Sequence, residues 1–228
     1  MTLPVTCIEW KPCWRNIPSR FPPIQLFERV TEPDDLEAIF ALESLTNPRL
    51  RDEAGDLSLV PLEDRISGPG TSIIMAAFTH LNPEGSRFTD GTYGVFYAAK
   101  DLDTAIAETR YHRERFMRAT AQARMHLDMR VYVIELSGDL HDLRGQKTAY
   151  PLVYQNDHHA AAQHLAKALR RDGSNGLAYD SLRRDGGECV AVFRPPLLSS
   201  ARQERHLCYV WDGARIRTVY EKRELGTR

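Results

Sequence analysis

Ser86-Arg87-Phe88-Thr89-Asp90-Gly91-Thr92-Tyr93-Gly94-Val95-Phe96-Tyr97, followed by Thr104-Ala105-Ile106-Ala107-Glu108-Thr109, is the stretch that decides the fold prediction. It predicts a glycine turn, an apolar strand and a helix, with Arg87 at the turn, Tyr97 on the strand and Glu108 in the helix. An arginine binds phosphate bidentately, an aromatic ring stacks on a flat base, and a carboxylate stabilises positive charge. The set suits a dinucleotide, although the same residue types also occur on ordinary surfaces and at helix caps.

The composition is that of one large domain, or of a domain with an insertion. The chain has 228 residues, of which 42% are hydrophobic and 27% are charged, so it can bury a sizeable core. Thirty Lys and Arg residues against 31 Asp and Glu residues give a net charge of −1. Proteins that bind nucleic acid through its phosphate backbone carry a clear basic excess, so we expect no direct nucleic-acid binding through bulk charge.

The N-terminus, the apolar runs and the cysteines all bear on the cellular compartment of the protein. The N-terminal residues lack a basic region followed by a long apolar run, and no apolar stretch reaches the roughly 20 residues that cross a bilayer. The cysteines form no C-x-x-C pair and show no zinc-type spacing; they are Cys7, Cys13, Cys189 and Cys208. We expect a cytoplasmic protein with reduced thiols and no membrane partner, in which Cys189 and Cys208 belong to the core.

The first part of the chain is predicted to be extended and then helical. Prolines at positions 12, 18, 22 and 23 interrupt the first thirty residues, which favours an extended arm over a helix. The segments that follow are an amphipathic helix over 33–45, a glycine loop at 68–70, and a short buried helix over 73–78 capped by Thr71 or Ser72.

The second part alternates strands and helices unevenly, which favours an α+β fold over a doubly wound parallel sheet. The predicted helices run from Asp101 or Asp103 to about 123, and from Asn156 or Asp157 to Gly173. The predicted strands are 93–99, 130–136, about 176–179, 188–194 and 205–211, with an Asp212-Gly213 hairpin turn leading into 215–220.

Two histidine sites are weighed and set aside. His158 and His159 point about 100° apart on a helix, and His164 misses the i, i+4 spacing of a metal pair, so we predict no metal site. His112 is assigned to the apolar side of its helix as a hydrogen-bonded packing residue. Ser181 follows a strand, where functional residues collect, but a serine there also suits an ordinary turn.

Taken as a set, several short motifs resemble the RES domain family. They are Trp14-Arg15, Arg87-Phe88, Gly94-Val95-Phe96-Tyr97-Ala98-Ala99, Ala105-Ile106-Ala107-Glu108, Tyr179-Asp180-Ser181 and Val192-Phe193-Arg194-Pro195. The arginine, glutamate and serine that give the family its name correspond to Arg87, Glu108 and Ser181. The steps of ten residues from Arg87 to Tyr97 and of eleven to Glu108 fit the family pattern.

The resemblance implies a fold and an activity. The fold is α+β and similar to that of ADP-ribosyltransferases, with a split or mixed β-sheet core, flanking helices and, here, a helical insertion. The activity is destruction of NAD by hydrolysis or phosphorolysis, as the toxin of a toxin–antitoxin pair. It implies NAD as substrate, inorganic phosphate as a candidate co-substrate, no cofactor and an Xre-like helix-turn-helix antitoxin as partner; a homo-oligomer is compatible with it.

The resemblance also assigns roles to residues. Glu108, Arg87 and Ser181 would be catalytic, and the substrate would be bound by Arg15, Arg87, Tyr97 and Ser181. Arg15 grips phosphate in this scheme and Tyr97 stacks on nicotinamide. The choice among Arg15, Arg20 and Arg29 stays open, because shorter family members lack much of the segment that precedes Arg87.

The long segment before Arg87 leads to the domain prediction. We expect a single RES-like domain over residues 1–228 with an insertion at about 30–80. Two other functions use the same residues. An ADP-ribosyltransferase would leave ADP-ribose on an acceptor, and a non-catalytic binding module would release no nicotinamide.

Overall fold

The structure is a computed structural model that describes residues 3–19, 55–223 and 225–226, and a seven-stranded sheet is its centre. The strands are β1 (Val5–Pro18), β2 (Phe96–Ala99), β3 (Met125–Asp142), β4 (Gly176–Asp180), β5 (Glu188–Val192), β6 (Leu198–Trp211) and β7 (Ile216–Lys222). The described part of the chain also contains the α-helices α1 (Thr71–Thr79), α2 (Leu102–Ala119) and α3 (Ala160–Arg171). The predicted α+β class, with a mixed sheet and flanking helices, is confirmed.

The strand order is β1-β2-β5-β4-β3-β6-β7, and β1 also pairs with β3. Five strands therefore pair in a closed circuit, from which β6 and β7 extend. The β3–β4 pair is parallel and the other pairs are antiparallel. The predicted strand over 130–136 is the middle of β3, which is 18 residues long. It extends in both directions because β1 and β6 pair along its two edges.

The N-terminal segment is extended, as predicted, but it is a full member of the sheet. It pairs with β3 from Val5 opposite His141 to Pro18 opposite Met129. The register shifts between Trp10 and Cys13, at the position of Pro12. A proline lacks the N–H that a regular ladder requires, and a bulge accommodates it. The bulge also moves the following side chains to the other face of the strand.

The predicted N-terminal cap is confirmed for one of the three α-helices. Asp101 caps α2 as predicted, since its Oδ1 accepts a 2.8 Å hydrogen bond from the backbone N–H of Thr104. The helix ends at Ala119, four residues before the predicted end. Its C-cap, Thr120, donates its backbone N–H to the Phe116 carbonyl.

The predicted caps of the other two helices are wrong. Gly70, with φ of 81°, precedes α1, and the hydroxyl of Thr71 donates back to the Gly68 carbonyl. His159 precedes α3, so neither Asn156 nor Asp157 caps it. The predicted loop at 68–70 is present. The predicted helix over 33–45 lies outside the described residues, as do Arg20 and Arg29.

The helices cover different faces of the sheet, and this separation places the site. Successive residues of a strand point to opposite faces. Phe96 packs with the core that includes Ile74 of α1, whereas Tyr97 packs with the core that includes Ala105 of α2 and Ala162 of α3. A side chain on the Tyr97 face can therefore reach Glu108 of α2, and a side chain on the Phe96 face is directed away from it.

The cysteines are free thiols, and Cys189 and Cys208 are buried as predicted. Within the described residues, no helix is both long and apolar enough to span a membrane.

Candidate active site

The turn that carries Arg87 is fixed by the hydroxyl of Tyr97. This hydroxyl accepts a 3.0 Å hydrogen bond from the backbone N–H of Phe88 and shares a 2.7 Å hydrogen bond with Ser86 Oγ. Burial raises the pKa of Tyr97 to about 12, so the phenol stays neutral. Tyr97 thus holds the residues on both sides of Arg87, a role that its sequence position alone did not indicate.

Arg87 crosses to the segment that precedes α3. Its Nη1 donates to the carbonyl oxygens of Val153 and Gln155, each at 2.9 Å. These acceptors are neutral, and within the part of the chain that the structure describes Arg87 forms no ion pair with a carboxylate. An arginine held in this way keeps its charge available for an anion.

Glu108 and Ser181, 73 residues apart in the sequence, are in direct contact. Ser181 Oγ donates a 2.6 Å hydrogen bond to Glu108 Oε1. Ser181 Oγ also accepts hydrogen bonds from the backbone N–H groups of Arg183 and Arg184, at 3.0 and 3.1 Å. Two donors occupy the lone pairs of the hydroxyl, so its own proton is directed to the carboxylate. Ser181 therefore fixes the orientation of Glu108.

The loop that carries Ser181 is attached to the first turn of α2. Arg184 Nη1 donates to Asp101 Oδ1 at 2.9 Å and to Thr104 Oγ1 at 3.0 Å. Thr104 lies one turn before Glu108 on the same helix face. A Cβ on Gly187 would lie 2.7 Å from Thr104 Oγ1 and 3.1 Å from the Ser181 Cβ, so only glycine permits this close approach. Arg184 and Ser181 thus bind successive turns of α2.

His112 is next to Glu108, not in the core. Its Nε2 lies 3.9 Å from Glu108 Oε2, and its side chain is 56% exposed. The assignment of His112 to an apolar packing face is therefore wrong. At 100° per residue it lies 40° from Glu108 around the helix, close enough to share its face. Partial burial and the charges of Arg183, Arg113 and Arg87 lower the pKa of His112 to about 4, so it is neutral at pH 7.

The surroundings of Glu108 and His112 are rich in arginine. The guanidinium of Arg183 lies 3.3 Å from the centre of the Tyr111 ring. Arg115 Nη1 is 3.8 Å from Asp157 Oδ1, which also accepts the hydroxyl of Tyr111 at 2.8 Å. Several guanidinium groups thus lie near the oriented carboxylate of Glu108, an arrangement that suits a substrate with both phosphate and a developing cation.

Arg15 does not join this cluster. Its guanidinium lies 4.4 Å from the centre of the Phe96 ring, and its Nη1 donates to the Tyr97 carbonyl at 2.8 Å. Phe96 packs on the α1 side, so Arg15 extends along the face opposite Glu108. Burial lowers the pKa of Arg15 to about 10. The guanidinium still carries a charge at pH 7, but it is directed away from the carboxylate.

The sequence reading missed several residues of the site. They are Tyr111, Arg183 and Arg184; Asn156, which binds Arg183 from outside the site, was missed as well. The signal for Arg183 and Arg184 was their proximity to Ser181, two and three residues away. Asn156 could not be found in the same way, because its place depends on the path of the segment before α3. No group of three His, Cys, Asp or Glu residues within the described ranges could hold a metal ion.

Comparison with known proteins identifies the class. The RES domain family matches residues 62–212, a range that contains Arg87, Tyr97, Glu108 and Ser181 and leaves Arg15 outside. The chain belongs to the RES domain family, and the predicted resemblance is confirmed.

Two individual proteins are similar to the chain. One is an uncharacterized protein, y4oC, of Sinorhizobium fredii (strain NBRC 101917 / NGR234), which is 34% identical over 209 residues, covering 91% of this chain and 86% of that protein. The other is a chain in the crystal structure of the M. tuberculosis MbcT–MbcA toxin–antitoxin complex. It superimposes with a TM-score of 0.40 at 11% identity, over 91% of this chain and 88% of that one.

Proposed function

We propose that this protein degrades NAD by cleaving the bond between nicotinamide and ribose, and that it acts as the toxin of a toxin–antitoxin pair. Membership in the RES domain family supports the class of activity. The observation that carries the proposal is the 2.6 Å hydrogen bond from Ser181 Oγ to Glu108 Oε1, beside the arginines of the site. This arrangement holds the carboxylate of Glu108 in a fixed orientation near several guanidinium groups.

The reaction explains why such a carboxylate is useful. When the glycosidic bond breaks, its electron pair leaves with the nicotinamide ring, which becomes neutral. Carbon C1′ of the ribose is left with the character of an oxocarbenium ion. A carboxylate held close to that carbon stabilises the positive charge as it develops. Glu108 is assigned this role, and Ser181 keeps its carboxylate in place without moving during the reaction.

Two other predicted residues, Arg87 and Tyr97, contribute to substrate binding in this proposal. Arg87 grips the pyrophosphate through its planar guanidinium, which matches two phosphate oxygens. Tyr97 keeps the Arg87 turn in position, and the stacking of its ring on nicotinamide remains part of the proposal. A neutral His112 beside Glu108 adds no positive charge next to the developing cation.

Either of two nucleophiles completes the reaction. Water adds to C1′ and loses a proton, which gives ADP-ribose. Inorganic phosphate adds to the same carbon through one of its oxygens and gives ADP-ribose phosphorylated at that carbon. Glu108 is placed to orient the nucleophile in both cases. The two outcomes differ in products, so a direct assay separates a glycohydrolase from a phosphorylase.

The test is nicotinamide release from NAD by the purified protein, with and without inorganic phosphate. We expect Glu108→Gln to lower the rate by about 10²–10⁴-fold, the usual contribution of such a group. Glu114→Gln is the matched control, because Glu114 lies on the same helix and binds Arg118 and the Ile216 N–H instead. Folded wild-type protein that releases no nicotinamide under either condition would refute the proposal.

The toxin role and the partner need a cellular test. Expression of the wild type should deplete NAD and arrest growth, whereas Glu108→Gln should do neither. Co-expression of an Xre-like helix-turn-helix antitoxin should restore growth by binding the toxin. Growth arrest that persists in Glu108→Gln would show that toxicity has another cause.

A further inference from the structure

Arg183 has an unusual position next to the candidate catalytic pair. Its backbone N–H binds Ser181 Oγ at 3.0 Å, so the residue is anchored where Glu108 is oriented. Its side chain extends over Tyr111, with the guanidinium carbon 3.3 Å from the ring centre. Stacking on an aromatic ring fixes the plane of a guanidinium and leaves its edges free to bind hydrogen-bond acceptors.

The contacts of Arg183 resemble those of Arg87. Arg183 Nη1 donates to Asn156 Oδ1 at 2.9 Å, and Arg87 Nη1 donates to the Gln155 carbonyl at 2.9 Å. The two arginines thus bind neighbouring residues of one segment, and both do so through neutral oxygens. Arg183 Nε is buried and has no hydrogen-bond partner. The hydrogen-bonding capacity of this guanidinium is left partly unused by the protein itself.

The local charges favour an anion between these side chains. Arg183, Arg87 and Arg115 all help to lower the pKa of His112, so all three lie close enough to repel a proton there. Within the described residues, Arg87 and Arg183 form no ion pair with a carboxylate. Asp157 contacts Arg115, and the charges of Arg115 and Arg183 both help to lower the pKa of Asp157. One exposed carboxylate thus faces several guanidinium groups, and a bound anion reduces the repulsion among them.

We propose that Arg183 is the second arginine that binds the pyrophosphate of the dinucleotide, together with Arg87. The inference rests on the proposed function and gives Arg183 the role that the sequence assigned to Arg15. Carbonyl oxygens of the 153–156 segment bind the two guanidinium groups where phosphate oxygens would compete for them. The pyrophosphate then lies on the Glu108 side of the sheet, which is the side where the ribose must be.

The main test separates substrate binding from a structural role. In Arg183→Lys the charge remains, but the planar fork is lost, so we expect KM for NAD to rise about tenfold to a hundredfold with kcat changed less than about threefold. Asn156→Ala removes the bond between Arg183 and the 153–156 segment and keeps the arginine. We expect its KM to stay within about twofold of the wild type or to fall. Arg118→Lys controls for an arginine-to-lysine change elsewhere on the surface.

A KM in Arg183→Lys equal to that of the wild type would overturn the inference. So would an Asn156→Ala variant with the same rise in KM as Arg183→Lys, because Arg183 would then act only by fastening the segment.

A second measurement does not depend on turnover. Calorimetric titration with inorganic diphosphate should give binding to the wild type and at least about tenfold weaker binding to Arg183→Lys. If the wild type binds diphosphate through Arg183 but releases no nicotinamide, the proposed function fails and the anion site stands. If nicotinamide is released normally but diphosphate binds equally to both proteins, the function stands and the role of Arg183 is refuted.

Discussion

The loop after β4 and the segment before α3 both border the site, but they are held by different kinds of contact. The loop is bound through hydrogen bonds to charged groups, from Ser181 to Glu108 and from Arg184 to Asp101. The segment is bound mostly through neutral oxygens, such as the Val153 carbonyl that accepts from Arg87. A guanidinium binds a neutral carbonyl oxygen with one charged partner and a phosphate oxygen with two, so a phosphate competes well for an arginine that is held by carbonyl groups. The carboxylate is therefore held firmly, whereas the arginines are held by contacts that a phosphate can replace.

The largest effect is expected at Ser181, in the loop that holds the Glu108 carboxylate. In Ser181→Ala, Glu108 loses its donor and the N–H groups of Arg183 and Arg184 lose their acceptor. We expect kcat for nicotinamide release to fall about tenfold to a hundredfold, because each hydrogen bond to a charged group contributes about 1.5–3 kcal/mol. The measurement is steady-state kinetics over a range of NAD concentrations.

Ser174→Ala is the control for this variant, since Ser174 is also buried and its Oγ binds His141 Nδ1 away from α2. Arg184→Ala extends the test. It should lower kcat by less, and it should have little further effect in the Ser181→Ala background, because both residues act on the orientation of Glu108. Fully additive losses would indicate that the loop and the carboxylate work independently.

A smaller effect is expected at Tyr97, which positions the turn whose Arg87 binds the segment before α3. In Tyr97→Phe, the Phe88 N–H and Ser86 Oγ lose their shared partner, which loosens the turn that carries Arg87. We expect about 1–2 kcal/mol less stability and a KM for NAD several-fold higher, with a smaller change in kcat. Urea unfolding and steady-state kinetics measure the two effects.

Tyr209→Phe is the matched control. The Tyr209 hydroxyl is also buried and binds Asn16 Nδ2 at 2.6 Å and Thr109 Oγ1 at 2.7 Å, on another side of α2. It should lose comparable stability with no change in KM. A Tyr97→Phe variant whose KM matches that of Tyr209→Phe would mean that the turn does not depend on the hydroxyl.

The same comparison explains what the sequence could predict. Arg87, Tyr97 and Glu108 lie on a turn, a strand and the helix that follows, and local periodicity is enough to bring such elements together. The position of Ser181 after a strand suited an ordinary turn equally well, and its role was assigned from the resemblance to the RES domain family. Arg15 was assigned from the resemblance, and the sequence did not reveal which face of β1 it occupies, because the bulge at Pro12 shifts the alternation of the strand by one residue. Cys13 and Arg15 consequently face the same side as Ile8 and Trp10.

The residues that the sequence did not reveal depend on tertiary paths. Arg184 reaches Asp101 across 83 positions, and Arg183 reaches Asn156 across 27. No periodic pattern encodes such contacts. His112 failed for another reason, because it lies between the helix face of Glu108 and that of Thr109, and periodicity alone assigned it to the second face.

The smallest expected effect concerns His159, which precedes α3 at the end of the replaceable segment. Burial and the charges of Arg87 and Arg115 lower its pKa to about 4, and its Nδ1 is buried without a partner. The unfolded chain takes up this proton near pH 6.5, whereas the folded protein does so only near pH 4. The free energy of unfolding should therefore decrease as the pH falls from about 6.5 to about 4, by on the order of 1 kcal/mol from this residue.

Urea unfolding at pH 5 and pH 7 measures this dependence, and His159→Gln should make it shallower. Diphosphate should have a similar effect on the wild type, because an anion between Arg87 and Arg183 offsets the positive charge that opposes protonation of His159. The effect of diphosphate should be lost in Arg183→Lys. If diphosphate leaves the pH dependence of the wild type unchanged, the anion does not bind beside these arginines, and the contrast between a firmly held carboxylate and replaceable cation contacts would not extend to the 153–156 segment.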